Sequence, residues 1–296
     1  MRVNASFSKK GGDFLSFPEE IIRSRQNRTL VELCKLNDRK HREECRLFRF
    51  DGIKLLDEAI KNKLELTLVA LRAGSAERVR EEMVRRHGAA VFDRFERVIL
   101  VENDLFDKIS EEKSPEGVIS VAKYIDKFEK IATIYYSADF LSMKGERIVL
   151  LESVRDPSNI GAVIRSAAAL GVDRLILSAD CADIYHPKAV RASMGALFNQ
   201  RIDRVESLPD TVSALRKAGR RVFAAALDER AVRLGAFALR EGDCVVIGNE
   251  GHGLTAETVQ ACDHSVMIPM TDRAESFNAA VAASILMWEF SKQPKS

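Results

Sequence analysis

Glu275-Ser276-Phe277-Asn278 runs straight into Ala279-Ala280-Val281-Ala282-Ala283-Ser284-Ile285-Leu286-Met287-Trp288. The apolar run, rich in small side chains, predicts a tightly packed helix, and two short polar side chains stand just before it. Ser and Asn are favoured helix caps, which gives both a structural use. A loop delivering polar groups to the mouth of a packed helix is also how a site is built. The stretch alone leaves both open.

Two further segments bear on the choice: Asn159-Ile160-Gly161-Ala162-Val163-Ile164-Arg165-Ser166-Ala167 and Val245-Val246-Ile247-Gly248-Asn249-Glu250-Gly251-His252-Gly253-Leu254. Gly248, Gly251 and Gly253 either let main chain approach a ligand or turn the chain between a strand and a helix. Their spacing, G-x-x-G-x-G, is the reverse of a dinucleotide fingerprint, and no Walker loop occurs. Arg165 follows Asn159 by six residues on a predicted helix of Ala, Val and Ile. It either snorkels to solvent over apolar surface or serves a ligand. His186 and His252 have no partner at metal-ligand spacing, so no metal site is expected.

The 296 residues suit two domains, and 46% hydrophobic with 30% charged residues is the balance of a globular chain. Net charge is only +2, but residues 23–49 hold nine Lys/Arg against four Asp/Glu, an excess that attracts phosphate or merely solubilises a helix. Five cysteines at 34, 45, 181, 244 and 262, with no C-x-x-C pair, fit a reducing compartment and neither a disulfide framework nor a zinc site. No secretory signal or membrane span is expected, which points to the cytoplasm.

After a tail containing Phe7, Phe14 and Phe17, helices are predicted at 29–36, from Gly52, at 76–86 and at 105–109. Strands are predicted at 46–50, 64–71, 98–101 and 117–122, giving a small α/β domain that ends near Lys123. Nothing clean follows until about Lys144, a linker. Strands at 147–151, 174–177, 221–227, 244–247 and 265–268 then alternate with helices at 159–170, 188–198 and 211–218. That alternation calls for a parallel sheet covered on both faces.

In this order, with Ile268-Pro269-Met270 before the last, the three segments resemble the motifs of the SpoU/TrmH family of RNA ribose methyltransferases in the SPOUT superfamily. The resemblance is strong over 147–290 and weaker over about 20–123. There, Phe48-Arg49-Phe50-Asp51-Gly52 and Ser114-Pro115-Glu116-Gly117 stand where two-domain members carry an apolar-acid-Gly turn and a Thr-Pro-x-Gly turn. It implies an α/β protein: a small N-terminal substrate-binding domain (1–123) that grips RNA, a linker (124–143) and a parallel-sheet SPOUT domain (144–296) closed by a trefoil knot.

The implied methyl donor is S-adenosylmethionine, held largely by main chain at Gly248, Asn249 and Gly253, at Ile268 and Met270, and at Leu227 and Phe277. Phe277 and Ala279 depart from the Leu and β-branched residue of most relatives. Asn159, Arg165, Glu250, Ser276 and Asn278 match the polar catalytic positions. The asparagines would orient the nucleotide or fix loops, Ser276 would donate a hydrogen bond, and Glu250 would hold Arg165 or its loop. Arg165 is the residue credited with activating the ribose hydroxyl. A guanidinium keeps its proton above about pH 12, so binding a phosphate and stabilising the forming alkoxide is easier chemistry than proton abstraction. The resemblance also implies a homodimer and, from the N-terminal module, ribosomal RNA as substrate. Transfer RNA and a non-catalytic RNA-binding or assembly role are the alternatives.

Overall fold

A computed structural model describes residues 18, 20–125, 145–227, 231–249, 251–273 and 276–293. Phe7, Phe14 and Phe17, most of the linker, and Glu250 lie outside the described residues. The chain divides into two compact units, Met1–Lys123 and Tyr124–Ser296.

The first unit runs β1 (Ile21–Ile22), α1 (Arg28–Lys35), α2 (Arg39–Cys45), β2 (Leu47–Asp51), α3 (Ile53–Lys61), β3 (Leu66–Arg72), α4 (Ala76–His87), β4 (Val98–Val101), α5 (Asn103–Ile109) and β5 (Val118–Lys123). Its sheet has the order β1-β4-β3-β5-β2. β1, β4 and β3 are parallel, and β5 is antiparallel to both β3 and β2. Leu30, Leu33 and Leu36, with Leu105 and Phe106, pack on Leu68, Ala70, Ile99 and Val121. The acid-Gly turn has a structural explanation. Gly52 takes φ 106°, which suits only glycine, and the Glu116 carboxylate accepts the first free N–H of α3, from Ile53, at 2.6 Å.

Two features of this unit differ from the sequence pattern. Arg49, a polar position of the alternating strand, is fully buried and paired with the nearly buried Asp51 at 2.9 Å. Arg42 is buried too, donating to the Leu36 carbonyl at 2.7 Å. The basic segment 23–49 therefore presents seven of its nine cations at the surface, because two are spent on holding the chain together.

The second unit runs β6 (Ile148–Leu151), α6 (Pro157–Ala169), β7 (Arg174–Ser178), α7 (Pro187–Ser193), β8 (Arg201–Val205), α8 (Leu208–Lys217), β9 (Val222–Ala225), β10 (Val232–Arg233), β11 (Cys244–Ile247), α9 (Ala256–Ala261), β12 (His264–Met267) and α10 (Ala279–Phe290). The seven-stranded sheet, β10-β12-β9-β11-β6-β7-β8, is parallel throughout. Leu208, Val212 and Leu215 of α8 and the neighbouring Val259 of α9 cover one face over Ile148, Leu150, Val222 and Val246. Helices α6 and α10 pack together and α10 lies against β11, so near-continuous apolar strands are buried on both sides.

The helix expected over 188–198 stops at Ser193. Met194 and Gly195 take φ of 53° and 91°, left-handed values that end α7 before a short turn at Ala196–Phe198. β1, α2, β8, β10 and α9 have no signal in the residue pattern. β8 carries Asp203, which is buried because it pairs with Arg174 of the neighbouring strand.

Gly161 explains the closeness of α6 and α7. A Cβ there would stand 2.4 Å from the Ala189 carbonyl oxygen and 2.7 Å from the Ala192 Cβ. Gly161→Ala is expected to destabilise by about 1–3 kcal/mol through overpacking, against about 1 kcal/mol of gained helix propensity. Urea unfolding should show a lower midpoint at unchanged slope. An unchanged or higher midpoint would refute the close approach.

Candidate active site

A cleft of about 620 Å³ opens at the carboxyl ends of β9, β11 and β12. Parallel sheets place ligands there because the connecting loops gather at that edge. Four stretches line it: Ala225 to Leu227, Ile247 to Asn249 with Gly251 to Leu254, Val266 to Ile268 with Met270, and Ser276 with Phe277 and the first turns of α10. Leu227, Gly248, Asn249, Gly253, Ile268, Met270 and Phe277 all stand in this wall, together with Ser276. Leu227 is 64% exposed and Phe277 36%, an unusual amount of bare apolar surface for side chains beside a cavity.

Gly248 makes the close turn possible. A Cβ there would lie 2.4–2.6 Å from backbone atoms of Gly253 and Leu254. Asn249 and Gly253 exchange backbone hydrogen bonds of 3.1 and 3.0 Å, closing the loop on itself. The Asn249 side chain is committed to the scaffold: Oδ1 accepts from Gly251 N–H at 2.8 Å and His252 N–H at 3.3 Å, and Nδ2 donates to the Ser153 carbonyl at 2.9 Å.

Asn278 is the cap its sequence position allowed, and it also reaches across to α6. Its Oδ1 caps α10, accepting from Ala280 and Val281 N–H, while Nδ2 donates to Asn159 Oδ1 at 3.1 Å. Asn159 sits in the first turn of α6, where Asp156 accepts its N–H at 2.9 Å and Pro157 opens the helix. The two asparagines, 119 residues apart, thus meet beside the cleft.

Arg165 does not join them. It is exposed on α6 and makes no hydrogen bond or ion pair among the described residues. Six helical residues carry it roughly 9 Å along the axis and about 120° round from Asn159. His186 caps α7, its Nδ1 accepting from Lys188 N–H at 3.1 Å, while His252 lines the cleft.

No group of side chains able to hold a metal ion occurs among the described residues, and none of their helices is long and apolar enough to cross a membrane. Burial pushes the Cys244 thiol up to about 11 and Cys262 to about 12, so neither is a thiolate nucleophile at neutral pH.

Three positioning groups had no sequence signal. Buried Glu152 accepts from Thr255 N–H at 2.8 Å and from the hydroxyls of Thr255 and Thr258, tying the end of β6 to the start of α9. Ser153 takes φ 55°, and its hydroxyl donates to Asp180. Burial opposes ionisation of Asp180, but hydrogen bonds from Ser153, Ser178 and Arg155 outweigh it and hold the carboxyl at about 2. Isolated acids and serines in loops are commonplace; only the folded contacts single these out.

The SpoU rRNA Methylase family matches residues 146–288, and the MRM3-like substrate binding domain matches 27–120. Over 269 residues, 90% of this chain and 97% of the relative, the chain is 28% identical to the 23S rRNA (guanosine(2553)-2′-O)-methyltransferase RlmP of Bacillus subtilis. It is 37% identical over 196 residues to the 23S rRNA (uridine(2479)-2′-O)-methyltransferase of Streptomyces viridochromogenes, covering 64% of this chain and 65% of that one. The crystal structure of an AdoMet-bound rRNA methyltransferase from Sinorhizobium meliloti superposes with a TM-score of 0.74 at 27% identity, over 92% of this chain and 97% of that one. Together these matches show a SpoU methylase domain of the SpoU rRNA methylase family following an MRM3-like substrate-binding domain.

Proposed function

We infer that this protein transfers a methyl group from S-adenosylmethionine to a ribose 2′-hydroxyl of ribosomal RNA. The observation that carries it is the convergence of 225–227, 247–249, 251–254, 266–268 and Met270 with Ser276 and Phe277 on one cleft, beside the Asn159–Asn278 pair. The volume is that of a small-ligand site, and the missing side chain at Gly248 lets the Gly253–Leu254 backbone close against it to form the cleft wall. Leu227, Ile268, Met270 and Phe277 would cover the apolar parts of S-adenosylmethionine. When bound, that cofactor supplies an electrophilic methyl group.

The protein must then orient a poor nucleophile. Asn159 and Asn278 fix each other and the start of α10, and Ser276 stands at the cleft with its hydroxyl available to the nucleotide. Arg165 would hold a phosphate and steady the developing alkoxide. Glu250 is proposed to hold that arginine or its loop.

The two methyltransferase relatives modify a guanosine and a uridine of 23S rRNA, so their shared property is the RNA and the ribose, not the base. Residues 1–123 are proposed to grip that RNA, 124–143 to link, and 144–296 to hold the methylating site, with a threaded C-terminal segment. Refolding that slows when the threaded segment must re-enter its loop would support the knot. The enzyme would work in the cytoplasm.

Two copies are proposed to pair through α6 and α10. Val281 is 46% exposed and Trp288 57%, one apolar stripe on α10, and Arg165 is exposed on α6, the helix that α10 packs against. A single copy leaves Arg165 apart from the asparagine pair, whereas an isologous contact would bring in a second copy's Arg165. Sedimentation at micromolar concentration should give a dimer; a monomer sinks this assembly.

The function is tested by calorimetry with S-adenosylmethionine and by mapping ribose methylation after incubation with protein-free 23S rRNA. Binding of RNA by the full chain should weaken steeply with salt, because each Lys/Arg–phosphate contact releases counterions. No cofactor binding, or no methylated ribose, would refute the assignment.

A further inference from the structure

Among the described residues, four other than glycine have positive φ: Arg46, Lys63, Ser153 and Met194. Arg46 and Met194 cap α2 and α7, and Lys63 follows Asn62, the cap of α3. Ending a helix is the ordinary use of left-handed backbone. Ser153 ends no helix; it lies in the connection between β6 and α6. A side chain in this conformation is strained and persists where its surroundings over-determine it.

The surroundings of Ser153 come from two other loops. Its N–H donates to Ser178 Oγ at 2.9 Å and its hydroxyl to Asp180 Oδ2 at 2.5 Å. Asp180 also accepts from Ser178 Oγ at 2.6 Å and from Arg155 at 3.2 Å. With the turn fixed in this way, the Ser153 carbonyl accepts from Asn249 Nδ2 at 2.9 Å. The other end of the same amide holds the N–H groups of Gly251 and His252, both in the cleft wall.

We propose that Ser153 and Asp180 are positioning residues for methyl transfer: the left-handed turn at Ser153 aims its carbonyl at Asn249 and holds the glycine-rich cleft wall in register with the helix carrying Asn159. This rests on the function proposed above. The strain has a use here, because the backbone conformation of residue 153 decides where that carbonyl points, and the Asp180 carboxylate secures the conformation. Buried Glu152 fixes the far end of the same loop through Thr255, so two consecutive residues of the β6–α6 connection hold both ends of the wall.

Ser153→Gly separates positioning from scaffolding. Glycine occupies the left-handed region without strain but also leaves it freely, and it removes the bond to Asp180. The full-length variant should melt no lower than the parent. Amide exchange at Gly251 and His252 should nevertheless accelerate, and the Kd for S-adenosylmethionine should rise about tenfold or more, as expected when a site's supporting contacts loosen. Asp180→Asn, which keeps the size but not the charge, should move both quantities the same way and less far. Exchange at Gly251 and His252 matching the parent in Ser153→Gly overturns the proposal. So does a loss of affinity that merely follows a lower melting temperature. Should the parent chain fail to bind S-adenosylmethionine, the function assignment falls, while the exchange rates still decide whether Ser153 positions the loop.

Discussion

Replacing Arg165 with alanine is expected to reduce single-turnover ribose methylation by on the order of a hundredfold or more, with melting temperature and cofactor affinity unchanged. The separation follows from the geometry. Arg165 is exposed and, among the described residues, makes no hydrogen bond or ion pair, so its removal breaks none of the chain's described internal contacts. It lines no part of the cleft either. Whatever it contributes must therefore be made to RNA or to a second copy. Arg165→Lys should recover little, since a point charge cannot reproduce a planar fork gripping two phosphate oxygens. Wild-type turnover in Arg165→Ala would return this side chain to a solvent-facing role and move the search for alkoxide stabilisation to Ser276, Asn278 and Glu250.

Gly248→Ala is expected to abolish S-adenosylmethionine binding and to destabilise the fold by about 1–3 kcal/mol. The added methyl would meet the Gly253 carbonyl carbon at 2.4 Å, its oxygen at 2.5 Å and the Leu254 nitrogen at 2.6 Å. All three are backbone atoms of the facing strand of the loop and cannot swing aside as a side chain would. The 3.0 and 3.1 Å bonds between Asn249 and Gly253 would have to open, and with them the wall of the cleft. Gly253→Ala is the control. Gly253 has φ 66° but no atom within 4 Å of an added Cβ, so only left-handed strain of about 1–2 kcal/mol is expected. Calorimetry on both variants checks the contrast; equal cofactor affinity for Gly248→Ala and the parent would count against a cofactor in this cleft.

The strands and helices other than β1, α2, β8, β10 and α9, the parallel sheet of the second unit and the apolar helix at Ala279–Phe290 were determined by the sequence itself. These are local matters: an apolar run between turn residues leaves the backbone few choices, and two-sided burial demands uninterrupted Val, Ile and Leu. The polar set Asn159, Arg165, Ser276 and Asn278 was likewise visible as side chains standing in segments that resemble family motifs.

What only the tertiary structure decided is which of these groups meet. Asn159 and Asn278 are joined because α6 and α10 pack on the same face of the sheet, while Arg165 turns away because six residues do not complete a whole number of helical turns. Arg49 and Arg42 left the surface to pair with Asp51 and the Leu36 carbonyl, although nothing in a basic segment distinguishes a buried arginine from an exposed one. Glu152, Ser153 and Asp180 gained their roles from partners 25 to 103 residues away. A hydrogen bond is set by distance and direction between atoms, and long-range distances exist only once the chain is folded.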